Sequence, residues 1–173
     1  MASKIDGGGA FETCPGCGGS FPSSDGPVHA YMLSAPGCWE RYGAVLAREY
    51  QDPELFAQTH RLTVDAYALQ HPGRRDDRRA YQSVRIHYVS LHLIFAGGWP
   101  HDRVTRTLGA LAANTFAPLP EPFPDFDVTV NHVWEAGRES HAEQVRAWAQ
   151  HAYEAWDSLA EYAEEETQKL RAA

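Results

Sequence analysis

The chain has 173 residues and a formal net charge of -8. That length accommodates one domain with its own core, and the acidic balance argues against a nucleic-acid partner, which requires a basic face. No apolar run approaches the roughly 20 residues of a bilayer-crossing helix, so a soluble, cytoplasmic protein with no membrane partner is expected.

Residues 1–12 are Gly-rich and polar and read as a disordered segment, with a single domain over 13–173. Within it the expected parts are a zinc-knuckle segment (13–40), helices (41–114), a proline-rich arm (115–128) and C-terminal helices (129–173).

Cys14-Pro15-Gly16-Cys17-Gly18 places two thiols three positions apart across a Pro-Gly turn, which is half of a tetrahedral zinc site. Cys38 follows another Pro-Gly pair, and His29 lies between them in Asp25-Gly26-Pro27-Val28-His29. The expected ligands are Cys14, Cys17, His29 and Cys38, with His60 or a water as alternatives for the fourth position. A water there would leave the site open and able to catalyse. A redox dithiol normally follows a strand at a helix N-terminus, and nothing apolar precedes Cys14. Zinc deaminases carry a His-x-Glu ahead of Pro-Cys-x-x-Cys, whereas here His29-Ala30-Tyr31 comes after and lacks the glutamate.

Pro36 suits the first turn of a helix reaching about Tyr50, with Trp39, Tyr42 and Leu46 at core spacing. Asp52-Pro53-Glu54 gives an N-cap, a first-turn proline and an acid, opening a second helix that stops at Pro72-Gly73. Arg74, Arg75, Arg78 and Arg79 form a basic cluster interrupted by Asp76 and Asp77, which reads as a solvated loop. A third helix is expected from about Ala80 to Ala96 and a fourth from about His101 to Asn114. Pro118, Pro120, Pro122 and Pro124 exclude helix and predict an extended arm packed on the surface. A short helix from Thr129 to Ala136 precedes Ser140-His141-Ala142-Glu143, a capping-box pattern expected to open the longest helix. Val145, Trp148, Ala152, Trp156, Leu159 and Ala163 mark its buried stripe, and Glu164 to Glu166 its solvated end. No strand pattern stands out. The predicted fold is an all-α bundle of about five to six helices with an N-terminal zinc knuckle.

Cys14-Pro-Gly-Cys17-Gly, Asp25-Gly-Pro-x-His29, Ser34-x-Pro-Gly-Cys38-Trp39, Arg48-Glu49-Tyr50, the stretch from His60-Arg-Leu-Thr-Val-Asp65 to Gln70-His71-Pro-Gly73, and Gln82-Ser83-Val84-x-x-His87 together resemble a family of small bacterial proteins known as a domain of unknown function. The resemblance covers most of residues 14–100 and marks these positions as a set; it implies no particular reaction. His92 and His101 lie outside the pattern.

His60 and His71 are about 16 Å apart along one helix, too far to bind one ion. The short loop over residues 72–79 makes the second and third helices antiparallel neighbours, which sets Asp65 level with His87. Such a pair can orient a general base, bind a metal or complete hydrogen bonding between helices. His60 and His92, five residues further from the loop, cannot face inward at the same time. His71 reads as a C-terminal cap. His132, His141 and His151 read as surface or satisfied core residues, and the tryptophans as core.

The leading expectation is a zinc-dependent enzyme, performing hydrolysis or group transfer on a small-molecule substrate, with Asp65, His87, His60 and Gln82 as candidate catalytic residues. The rival is a non-enzymatic protein-interaction module with a purely structural zinc site. Known nucleophile, phosphate-loop and dinucleotide signatures are missing from the sequence, so it indicates no covalent or nucleotide chemistry.

Overall fold

In the computed structural model, which describes residues 10–111 and 117–172, the chain opens on an antiparallel hairpin of β1 (Phe11–Thr13) and β2 (Ser20–Pro22), with Glu12 opposite Phe21. Phe11 and Glu12 are therefore strand residues, in contrast to the expected disorder over 1–12; residues 1–9 of that segment lie outside the described residues. The hairpin turn is the Cys14–Gly19 loop, closed by Cys14 N–H to the Gly19 carbonyl (2.8 Å) and Gly18 N–H to the Cys14 carbonyl (3.0 Å). Gly18 has φ of +72°, a conformation other residues adopt only with strain.

Seven α-helices follow among the described residues: α1 (Pro36–Tyr50), α2 (Pro53–Gln70), α3 (Arg78–Phe95), α4 (His101–Leu111), α5 (Val130–Glu135), α6 (His141–Ala155) and α7 (Ala160–Ala172). The protein is mostly helical, as its sequence predicts, with more helices than the expected five to six. The end of α4 expected at Asn114 lies outside the described residues. Asp52 caps α2 by accepting from the Glu54 and Leu55 amides, and Asp77 caps α3 through the Arg79 amide. The proline-rich stretch packs on α3, where the Arg85 guanidinium donates to the carbonyls of Ala117 (3.2 Å) and Pro118 (3.0 Å).

The single long helix expected after Ser140 is divided: a 3-10 turn at Asp157–Leu159 separates α6 from α7, and α2 and α3 are longer than either, at 18 residues each. Asp157 and Ser158 are weak helix formers, and the Trp156 indole is tied to the Leu69 carbonyl at 2.9 Å. Ser140 makes no side-chain cap; the capping box occurs instead at Thr129 and His132 of α5. Glu166, expected to be solvated, is buried and paired with Lys169.

Helix α2 sits at the centre, packed against α1, α3, α4 and α6. One apolar cluster runs from Cys14 and Phe21 through Leu62, Leu69, Val84 and Leu91 to Trp148 and Ala163, so the hairpin is built onto the same core as the helices. No helix among the described residues is long and apolar enough to cross a membrane.

Candidate metal centre and the adjoining cleft

Four residues from three elements converge at the hairpin turn. The turn supplies Cys14 and Cys17, the first turn of α1 supplies Cys38, and the C-terminal end of α2 supplies His71. One ligand atom from each lies within 4.8 Å of all the others, and no residue of the four is more than 1% exposed. A tetrahedral ion held at about 2.3 Å by sulfur and about 2.0 Å by imidazole nitrogen separates its ligands by roughly 3.5–3.8 Å. Cys17 and Cys38 sulfurs stand 3.9 Å apart, and Cys38 Sγ is 3.3 Å from His71 Nε2, so the cage has the size such an ion requires. No disulfide links the cysteines.

The electrostatics also call for a cation. Hydrogen bonding from Cys17, then Cys38, holds the Cys14 thiol far below the ordinary range. The same contact with Cys14 pushes Cys17 up to about 12 and Cys38 higher still. Three thiolates packed this closely repel one another, and a positive ion among them offsets that repulsion.

The surrounding shell prepares His71 as a ligand. Its Nδ1 is 2.7 Å from the Tyr67 carbonyl, which can only accept, so the hydrogen resides on Nδ1 and the Nε2 lone pair is left for a metal. Tyr67 stacks on the His71 ring at 3.8 Å, and its hydroxyl stands 3.6 Å from Cys38 Sγ. Burial pushes the Tyr67 phenol well above its usual range, which keeps it protonated as a donor toward that sulfur. The Ala35 amide donates to Cys14 Sγ at 3.4 Å.

His71, and not His29, is the imidazole brought to the thiols. The Cys-Pro-Gly-Cys turn packs directly on the end of α2: a Cβ on Gly16 would come within 2.5 Å of His71 Cδ2 and 2.8 Å of the Gln70 carbonyl. His29 lies in the loop beyond, where its Nδ1 accepts from the Tyr31 and Met32 amides at 3.4 Å and its ring packs on Tyr31 and Trp39. Burial, then Arg79, holds that imidazole below its usual range. His71 is the C-cap of α2 as well as a member of the cluster. His60, the other alternative, lies about three turns before His71 on α2, stacked on Phe56 with Nδ1 3.3 Å from Glu49.

Asp65 and His87 meet across α2 and α3, with His87 Nδ1 2.7 Å from Asp65 Oδ1. Asp65 is fully buried and also accepts from Arg61 (2.6 and 3.1 Å) and from Ser90. A carboxylate only accepts, so Nδ1 carries the hydrogen between the two and Nε2 is the remaining ring nitrogen of His87. His87 itself lines a cleft of about 290 Å³ with Tyr31, Arg79, Gln82, Ser83 and Ile86. His60 is not part of it. A larger open recess of about 600 Å³, lined by Gln58, His101, Asp102 and Arg146 among others, contains none of the candidate catalytic or metal-ligating residues.

A second buried polar group joins α1, α2 and α6. Glu49, fully buried, faces His141 Nε2 at 3.1 Å and His60 Nδ1 at 3.3 Å, and accepts from Thr63; Arg48 meets the other nitrogen of His141 at 3.1 Å. The pairings of Arg61 and Glu49 escaped the sequence reading because helical spacing marks faces but not which polar residues pair across them, whereas His141, read as a surface or satisfied core residue, is a satisfied core one. Glu49 and His71 did stand within the motif string, the one signal available for them.

The model described as "Family of unknown function (DUF5946)" matches residues 12–157. No curated protein and no solved structure matches the chain significantly. The match takes in the four cage residues, both buried polar groups and every helix through α6, and the chain belongs to that family of unknown function.

Proposed function

We propose that this protein holds one structural zinc ion in the Cys14, Cys17, Cys38 and His71 cage and acts on a small molecule at the neighbouring cleft, with His87 as general base and Asp65 as its orienting partner. Three thiolates and one imidazole in tetrahedral array form a set that zinc prefers. Four protein ligands leave no position for water or substrate, so zinc here would stabilise the fold locally and take no part in the reaction. Its service to the cleft is positional. Cys17 and Cys38 anchor the two ends of the loop that carries Tyr31, one wall of the cleft.

The observation that carries the reading is the 2.7 Å pairing of His87 Nδ1 with a fully buried Asp65, in a histidine that also lines an open cleft. A core pair serving only stability has no need of such access. A buried carboxylate on Nδ1 fixes the tautomer whose Nε2 accepts a proton, as a base in hydrolysis or group transfer requires. Gln82 stands beside it to orient a substrate.

Assays of the zinc-loaded protein on a panel of model esters, amides and phosphate esters test this. Turnover of at least one class, lost in a folded His87→Gln variant and reduced in Asp65→Asn, is expected. No turnover in the wild type, or equal rates in His87→Gln, would favour the non-enzymatic interaction module instead.

A further inference from the structure

Ser83 precedes His87 by one turn of α3 and lines the same cleft. It is 8% exposed, and its hydroxyl oxygen is buried without a hydrogen-bond partner. Other mid-helix hydroxyls bond either to the carbonyl four residues back, as Thr59 does to Leu55 at 2.7 Å, or to a buried carboxylate, as Thr63 does to Glu49 and Ser90 to Asp65. Among the buried helical hydroxyls of the described residues, Ser83 shares its lack of a partner with Thr167, which lines no cleft named above. A buried hydroxyl without a partner is costly, and native proteins retain few.

Helical side chains lean toward the N-terminus, so the His87 ring extends over the turn that carries Ser83. On the other side of that ring, Asp65 holds Nδ1. Ser83 makes no bond to His87 in this conformation; with its oxygen turned to Nε2, hydroxyl, imidazole and carboxylate would follow one another in the order of a nucleophile, its base and the group that orients the base. A rotation about χ1 between staggered positions is enough to re-aim the Ser83 oxygen.

We propose that Ser83 is the nucleophile of an acyl-transfer reaction and that the cleft takes a small carboxylic ester; this rests on the reading of His87 as base. The Ser83 oxygen attacks the carbonyl carbon while its proton passes to His87 Nε2. The tetrahedral adduct collapses with cleavage of the bond to the leaving alcohol, whose oxygen takes that proton, and an acyl-serine ester remains. Water then adds to this ester, giving a proton to Nε2; the bond to Ser83 breaks, the serine oxygen recovers the proton, and a carboxylic acid leaves. No electrons are exchanged with a cofactor, and Asp65 stays ionised throughout. Tyr31 and Ile86 offer apolar surface for a short acyl chain, and Gln82 and Arg79 bring N–H donors to the cleft for the carbonyl oxygen.

The zinc-loaded full chain, treated with a fluorophosphonate probe and digested for mass spectrometry, gives the test, with p-nitrophenyl acetate as a parallel substrate. The expected result is about one adduct per chain, on Ser83, absent in Ser83→Ala and formed at least about 100-fold more slowly in His87→Gln. A label on another residue, no label on the wild type, or wild-type ester turnover in Ser83→Ala would overturn the nucleophile. If Ser83→Ala keeps that turnover while His87→Gln loses it, the base reading survives alone. Equal labelling of Ser83 in His87→Gln would instead overturn the base reading on which the proposal rests.

Discussion

Gly73 lies so close to Tyr31 that a Cβ built on it would stand 1.9 Å from the Tyr31 carbonyl oxygen. Gly73 follows His71 by two residues, and Tyr31 belongs to the loop between Cys17 and Cys38. The metal cage and this backbone contact thus hold one loop against the turn between α2 and α3, and the loop in turn walls the cleft beside His87.

Gly73→Ala should therefore destabilise the protein by about 1–3 kcal/mol, since a backbone carbonyl cannot swing aside as a side chain can. Urea denaturation measures it. A wild-type midpoint would mean that the two segments do not approach so closely.

Chelation should loosen the hairpin and the Tyr31 loop while the helices remain, because the apolar contacts of α2 with α3 and α6 do not pass through the cage. Far-ultraviolet circular dichroism should retain most of its helical signal as the near-ultraviolet signal of Tyr31 and Trp39 changes. Protons compete with the metal for the thiolates and His71, so the ion should leave as pH falls and return as it rises. A cooperative loss of helix on chelation would contradict this division of labour.

The buried pair has its own ranking. Asp65→Asn leaves the Arg61 guanidinium without its counter-charge and should cost about 3–5 kcal/mol, toward the lower figure because Arg61 keeps some solvent contact. His87→Ala removes one of several partners of Asp65 and should cost about 1–3 kcal/mol. Chemical denaturation of both variants checks the order, and a reversed order would mean that Asp65 depends on His87 more than on Arg61.

Much of this was legible in the sequence. Pro36 and Asp52-Pro53 at helix starts, and Pro72-Gly73 at a helix end, located α1 and α2 because those residues act through local backbone geometry. The loop over residues 72–79 fixed the antiparallel register, and from it the level of Asp65 with His87. The fourth cage residue was not legible: His29 lies between the cysteines in the chain, but proximity at the cage comes from the packing of Gly16 on the end of α2, a tertiary contact with no periodic trace. The break between α6 and α7 was hidden for a similar reason, since the buried stripe continues in phase through Leu159 and Ala163 while the backbone changes to a 3-10 turn.

Glu49→Ala should destabilise by about 3 kcal/mol or more, because it strips His141 and Thr63 of a partner in a fully buried setting. His60→Ala, at the partly exposed edge of the same group, should cost less than about 1 kcal/mol. Thermal melts of the two variants give the comparison; equal losses would contradict the unequal burial of the two contacts.

The most direct test of the account is the metal retained after dialysis against a chelator, measured by elemental analysis in the wild type, His71→Ala and His29→Ala. The wild type and His29→Ala should each keep about one zinc per chain, and His71→Ala only a small fraction, since three thiolates alone leave the fourth position open to competitors. Loss of zinc from His29→Ala with full retention in His71→Ala, or a wild type that binds none, would contradict it.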